Sequence, residues 1–188
     1  DALHTTVKNC IFECEDSGTE AVARIGYGSA VRAINVLAIN RGTGGKGIEL
    51  GDGARAFNCV AVRPSNITAA GTGFGYYYGT PRIDNCAIFG FTTAVESSGS
   101  FSGSSSNNAT DQASGLPGSG TNYSVTYSST TPFTSADESG GTHDFRLAND
   151  GNDLIDAGTK DATNAPSDIS GSTRADRARV PNGSVSMR

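Results

Sequence analysis

Hydrolysis of a glycosidic bond takes two carboxyl groups about 5 to 9.5 Å apart. Glu49 with Glu96, and Asp137 with Glu138, are the pairs this chain offers. Lyase chemistry on an acidic sugar takes a cation to neutralise the carboxylate and a base for the neighbouring proton, and Arg55 with Glu49 and Asp52 could sketch such a site. None of these sets repeats a diagnostic motif, and among 19 Asp and Glu some fall near one another by chance, so no catalytic residue is assigned. A nucleophilic triad is not indicated either, because the chain has no G-x-S-x-G turn and His4 and His143 lie in no recognisable frame. Residues 42–47 lack the spacing of a phosphate loop, and residues 149–153 have the oxygens and the Gly of a calcium loop without its closing Glu. Cys10 and Cys14 form a C-x₃-C pair with no second pair to complete a zinc site. No metal and no cofactor is therefore assigned.

Other residues suit contact better than reaction. Arg32, Arg55 and Arg82 each stand three residues before an Asn, a spacing that puts them in one column. They read either as a cationic strip for an acidic sugar or another subunit, or as a solvated row partly neutralised by Glu49, Asp52 and Asp84. Tyr76, Tyr77 and Tyr78 fall in a strand-like run, so at least one ring, with Tyr77 the candidate, should be exposed to stack on a sugar or pack on a partner. Four N-x-S/T sequons, at Asn66, Asn108, Asn122 and Asn182, carry little weight in so Asn- and Thr-rich a chain.

The elements that would hold these residues repeat. Asn9, Asn35, Asn58 and Asn85 are spaced by 26, 23 and 27 residues, within the range of stacked supersecondary units. The first and third positions after each Asn are Cys10/Phe12, Val36/Ala38, Cys59/Ala61 and Cys86/Ile88, the period-two pattern of a strand with one buried face. Further strand-like runs at 21–25, 47–51, 75–79 and 94–96 are bracketed by Gly and Ser. The units read as rungs of a right-handed parallel β-helix, all-β, with about 4–5 rungs and a loop-rich C-terminal cap. Asn tolerates left-handed bends and can bond its equivalent one rung away, so Asn9, Asn35, Asn58 and Asn85 are expected to form a structural ladder. The same register buries Cys10, Val36, Cys59 and Cys86 in one stack. Cys59 and Cys86 would then be parallel thiols acting as small hydrophobes, with no disulfide between them. Asn108, 23 residues beyond Asn85, allows a degenerate fifth rung through the Ser-rich run 97–108.

The chain has 188 residues, 25 of them Gly, and only 18% are charged, which excludes a long-helix protein and leaves room for one domain. A net charge of −5 argues against nucleic acid, whose binders draw affinity from Lys and Arg. No apolar stretch approaches the length of a membrane span. The start, Asp1-Ala2-Leu3-His4, has neither an initiator Met nor a signal peptide's regions, as expected of a processed product or part of a longer protein. The divisions read as residues 1–112 for the rungs, 113–142 for a Ser/Thr/Gly-rich connection and 143–188 for a capping segment.

The tail reads D-F-R-L at 144–147, L-I-D-A-G-T at 154–159 and D-I-x-G-x-x-R at 168–174. This order resembles the closing segment of secreted and virus-borne right-handed β-helix proteins of the pectin-lyase-like superfamily. Read physically, Phe145, Leu147, Leu154 and Ile155 are expected to cover the open end of the coil, whose strand edges would otherwise be unpaired. The resemblance implies a location outside the cell or on a virion surface. The superfamily includes lyases, hydrolases, adhesins and phage tail or capsid-surface proteins, and fold does not choose among them. The expected function is a non-catalytic structural or adhesion module, a stiff scaffold contacting other copies of itself, virion or cell-surface subunits, or polysaccharide. Its rival is a polysaccharide lyase or glycoside hydrolase with a groove along the β-helix.

Overall fold

The structure, a computed structural model, describes residues 5–15, 17–26, 28–118, 122–137 and 144–147. Three short strands make each rung of a parallel β-helix. The first rung is β1 (Thr6–Lys8), β2 (Ile11–Cys14) and β3 (Ala21–Ile25), and the second is β4 (Arg32–Ile34), β5 (Leu37–Asn40) and β6 (Lys46–Leu50). The third is β7 (Arg55–Phe57), β8 (Val60–Val62) and β9 (Thr72–Tyr76), and the fourth is β10 (Arg82–Asp84), β11 (Ala87–Phe89) and β12 (Thr93–Val95). Corresponding strands pair in parallel to give a first sheet β1-β4-β7-β10 and a third sheet β3-β6-β9-β12. The second sheet continues past β11 into β13 (Ala109–Thr110) and β14 (Tyr123–Ser124). An antiparallel pair, β15 (Phe133–Ser135) and β16 (Asp144–Leu147), lies outside the coil. Among the described residues no helix is long and apolar enough to cross a membrane.

Pairing in register stacks like positions into columns, and the columns are complementary in size. Ala33 and Ala56 of the first sheet and Ala38 and Ala61 of the second lie inside at the second and third rungs. The larger Ile48 and Phe74 come from the third sheet at those levels. On the fourth rung the sizes reverse. Ile83 and Ile88 enter from the first two sheets, and Gly73 is required because a Cβ there would strike the Ile88 side chain. Close packing of this kind tolerates neither an added methylene nor a missing one without cost.

Three expectations are corrected. The third rung's last strand runs Thr72–Tyr76, so Tyr77 and Tyr78 lie at the bend beyond it, not in the strand. The fifth-rung bend is at Asn107 (φ 55°), not Asn108, and Ala109 pairs with Ala87 accordingly. Asn108 then falls on the inward column above Cys86, where its Oδ1 accepts the Cys86 N–H at 3.0 Å and its Nδ2 donates to the Ile83 carbonyl at 3.2 Å. Phe145 does not cover the coil's open end. It packs edge-on to Phe133, 5.3 Å between centroids, in a cluster on the outer face of the second sheet with Ile39, Val62, Phe89 and Val125. Those sheet residues alternate with the inward column, so this strand face is apolar on both sides. Leu154, Ile155 and the rest of 148–188 lie outside the described residues.

Ile88 is fully buried over Gly73. Ile88→Ala should cost about 2–5 kcal/mol. Ile88→Asp should leave the chain without a cooperative thermal transition, because an unpaired carboxylate in that column has no partner. A melting curve for Ile88→Asp matching the parent would refute the assigned inward face.

Candidate functional site

The Asn residues come first because they set every other position. Asn9, Asn35, Asn58 and Asn85 all have φ between 52° and 56°, the left-handed region that Asn enters more readily than bulkier residues. Each turns the chain between the first and second sheets. Each also donates its backbone N–H to a carbonyl one rung on: Asn9 to Ile34, Asn35 to Phe57, Asn58 to Asp84 and Asn85 to Ser106, at 3.0 to 3.1 Å. The side chains differ from rung to rung. Asn35 Nδ2 donates to Asn9 Oδ1 at 2.9 Å, whereas Asn58 Nδ2 is buried with no partner among the described residues. At the next position inward, Cys10, Cys59 and Cys86 each donate a weak S–H bond to the carbonyl two residues back. The thiols are free, and Cys59 and Cys86 are buried. Burial, then the neighbouring Cys59, pushes the Cys86 thiol well up, which makes it unreactive as a nucleophile.

The three arginines are direct register partners, Arg32 with Arg55 and Arg55 with Arg82, on the outer face of the first sheet. Of the three anticipated counter-charges, Asp84 meets the row. Among the described residues Asp84 alone forms an ion pair with the row, with Arg82 Nε 2.6 Å from its Oδ2 and Arg82 Nη2 donating to its Oδ1 at 3.1 Å. Asp52 instead accepts the Thr80 N–H, and Glu49 belongs to the third sheet. Arg55, Glu49 and Asp52 therefore do not assemble the sketched lyase site. Tyr77 and Tyr78 are 58% and 65% exposed, and the Tyr77 ring lies 5.6 Å from the Arg24 guanidinium.

Glu49 and Glu96 do come together. On the outer face of the third sheet, Lys46 Nζ lies 2.6 Å from Glu49 Oε1 and 2.7 Å from Glu96 Oε2. Arg24 Nε approaches Glu49 Oε2 at 2.5 Å, and its Nη2 reaches Glu20 at 2.9 Å. The bare backbone of Gly75 leaves room for the Lys46 stem. The Glu49 side chain is only 4% exposed. Burial pushes its carboxyl up, but Lys46 and Arg24 outweigh that and hold it below the ordinary carboxylate range. An acid catalyst needs the opposite shift. In the other suggested pair, Glu138 lies outside the described residues, as do residues 149–153, His4 and His143. Among the described residues no three His, Cys, Asp or Glu are grouped to hold a metal.

Sequence reasoning missed Arg63. It follows β8 and is 0% exposed. Its Nη1 donates to the carbonyls of Ala69 (2.5 Å) and Ala70 (3.1 Å), its Nη2 donates to Gly44 (2.7 Å), and its guanidinium lies 4.9 Å from the Phe91 ring. The Arg63 carbonyl in turn accepts the Tyr127 hydroxyl. One buried cation thus ties loops of the second and third rungs to the fourth rung and the outer segment, with carbonyls in place of a carboxylate. Burial pushes its guanidinium below the ordinary value. Nothing local in Val62-Arg63-Pro64 signals this, because its partners are backbone atoms. The Arg24–Glu49 pair was within reach, since its 25-residue separation matches the repeat.

Two measurements check these assignments. Asn58→Ala should lose about 1–2 kcal/mol through the left-handed bend, with Asn58→Gly losing clearly less in chemical denaturation; equal losses would mean that the bend is not the cause. For Glu49 the folded carboxyl titrates below its unfolded value of about 4.3. Its contribution is therefore present above that pH and disappears as pH falls through the folded value. Glu49→Gln should melt below the parent at neutral pH, and the gap should close under acid. Asp111, which burial shifts upward, acts in the opposite sense and is common to both proteins.

Comparison of the chain with protein-family models, with curated proteins and with solved structures found no match.

Proposed function

We propose that this chain is a non-catalytic structural or adhesion module of a virion or cell surface, a stiff β-helical scaffold whose outer faces contact other subunits, further copies of the chain, or glycans. The observation that carries the reading is the state of its best-placed acids. Glu49 is ionised and clamped by Lys46 and Arg24, and Glu96 shares the same Lys46. A hydrolase needs one carboxyl able to hold a proton and a second carboxylate free to reach a sugar carbon or a water.

Further support is architectural. Parallel rungs hydrogen-bonded at every level resist bending and repeat their surface features at one strand spacing, which suits a spacer or a lattice-like contact surface. Exposed Tyr77 and Tyr78 supply aromatic area for a sugar ring or a partner. The placement outside the cell or on a virion draws on the likeness of the tail motifs to the pectin-lyase-like superfamily. The rival, a carbohydrate-active enzyme, draws on one observation, that a single ammonium brings Glu49 and Glu96 within reach of each other.

Incubation of the full chain with neutral and acidic polysaccharides should release no new reducing ends, while immobilised glycan or a native particle retains the protein. Depolymerisation that Glu49→Gln abolishes would overturn the proposal in favour of the enzyme.

A further inference from the structure

A parallel coil ends in three strand edges at once. β1, β2 and β3 each stand last in their sheets, with no described strand beyond them. Such an edge is a template for another strand. The core opens at the same place. Phe12 on the inner face of β2 is half-buried, as are Cys10 and Cys14 on that face, whereas Ala38, the register partner of Phe12 on the next rung, is fully buried.

The hydrogen-bond phase of β2 selects how this edge can be met. The Cys10 and Cys14 carbonyls accept the N–H groups of Leu37 and Arg41 on the second rung, at 3.0 and 2.8 Å. Successive strand residues turn their backbone groups to opposite edges, so those of Ile11 and Glu13 turn away from the second rung. The Glu13 side chain is engaged separately, with Arg41 3.3 Å away. An antiparallel strand added there bonds at positions 11 and 13. When that strand is β2 of a second copy, Ile11 and the partner's Glu13 form a hydrogen-bonded pair on each side of a two-fold axis at Phe12. Cys10 then stands opposite the partner's Cys14 as a non-hydrogen-bonded pair, with Cα atoms about 4.5 Å apart, inside the span that a disulfide bridges. Within one chain the same residues cannot be joined, because four strand steps separate them by about 13 Å.

We infer that the first rung is a self-docking edge, at which two copies join head to head through antiparallel β2 strands and are locked by two disulfides, each between Cys10 and the partner's Cys14. The C-x₃-C pair that completes no zinc site thereby gains a use. Each bridge forms by exchange with a low-molecular-weight disulfide such as oxidised glutathione, which takes up both thiol hydrogens and leaves as two thiols while one protein S–S bond forms. Strands of three to five residues make a coil end far smaller than the roughly 800 Å² per partner of a stable interface. Hydrogen bonds alone should therefore hold the pair weakly, and the disulfides make it persist. The contact engages the end of the coil, not the outer faces assigned to subunits or glycans above, and applies to a scaffold and an enzyme alike.

The full chain is treated with oxidised glutathione and run on a non-reducing gel. The parent should shift from monomer to dimer and return to monomer with a thiol reductant, and proteolysis after Glu13 should release Cys10 linked to Cys14 from the dimer. Cys10→Ser and Cys14→Ser should each stay monomeric alone, because every thiol then faces a hydroxyl, whereas an equimolar mixture of the two should form a dimer with one bridge. Ile11→Pro removes an N–H from the outer edge only and should cut the dimer yield about tenfold with an unchanged melting curve. If Ile11→Pro melts early, the mixture of serine variants carries the test. A dimer from either serine variant alone, no dimer from the parent or the mixture, or an undiminished yield from a well-folded Ile11→Pro would overturn the inference.

Discussion

Parallel pairing of each strand with its counterpart one rung away is the constraint on which the rest of this molecule depends. It requires the same corner at the same place on every level, and Asn9, Asn35, Asn58, Asn85 and Asn107 supply it by adopting one left-handed conformation. With the corners aligned, the backbone N–H groups of Asn9, Asn35, Asn58 and Asn85 find carbonyls one rung on. Among the side-chain amides, Asn35 bonds Asn9, whereas Asn58 Nδ2 is buried with no partner among the described residues. The left-handed bend favours Asn at each of these corners whatever its side-chain amide bonds.

Once register is imposed, packing becomes a matter of columns. A coil this narrow cannot hold large residues from all three sheets at one level, so Ala38 and Ala61 stand where Ile48 and Phe74 intrude, and Ile88 stands where Gly73 withdraws. The second sheet is buried on both faces because residues 122–137 and 144–147 fold back over it, bringing Tyr127, Phe133 and Phe145 onto Val62 and Phe89. Arg63 sits where the coil, its loops and that outer layer meet. Its fixed donors serve the carbonyls of Gly44, Ala69 and Ala70 at once, which a point charge such as lysine could not do with the same fork.

Stacking in register also concentrates charge, since any ionisable residue repeated at one position becomes a row. The third sheet resolves its row by alternating sign, with Lys46 bridging Glu49 and Glu96 and Arg24 bridging Glu49 and Glu20. On the first sheet, among the described residues, the row is paired only at its last level, where Arg82 meets Asp84.

The repeat of Asn, the apolar positions after it and the Arg column were legible in the amino-acid order alone, because a solenoid converts sequence interval directly into spatial neighbourhood. That is why Arg32, Arg55 and Arg82 could be placed in one row before any coordinates. The register of the fifth level could not be read, because Asn107 and Asn108 are adjacent and only backbone pairing selects which one bends. Which acids meet which cations, the outward strand face under Phe133 and Phe145, and the burial of Arg63 were decided by tertiary structure. Each depends on how side chains reach across columns, and on loops whose paths no periodicity encodes.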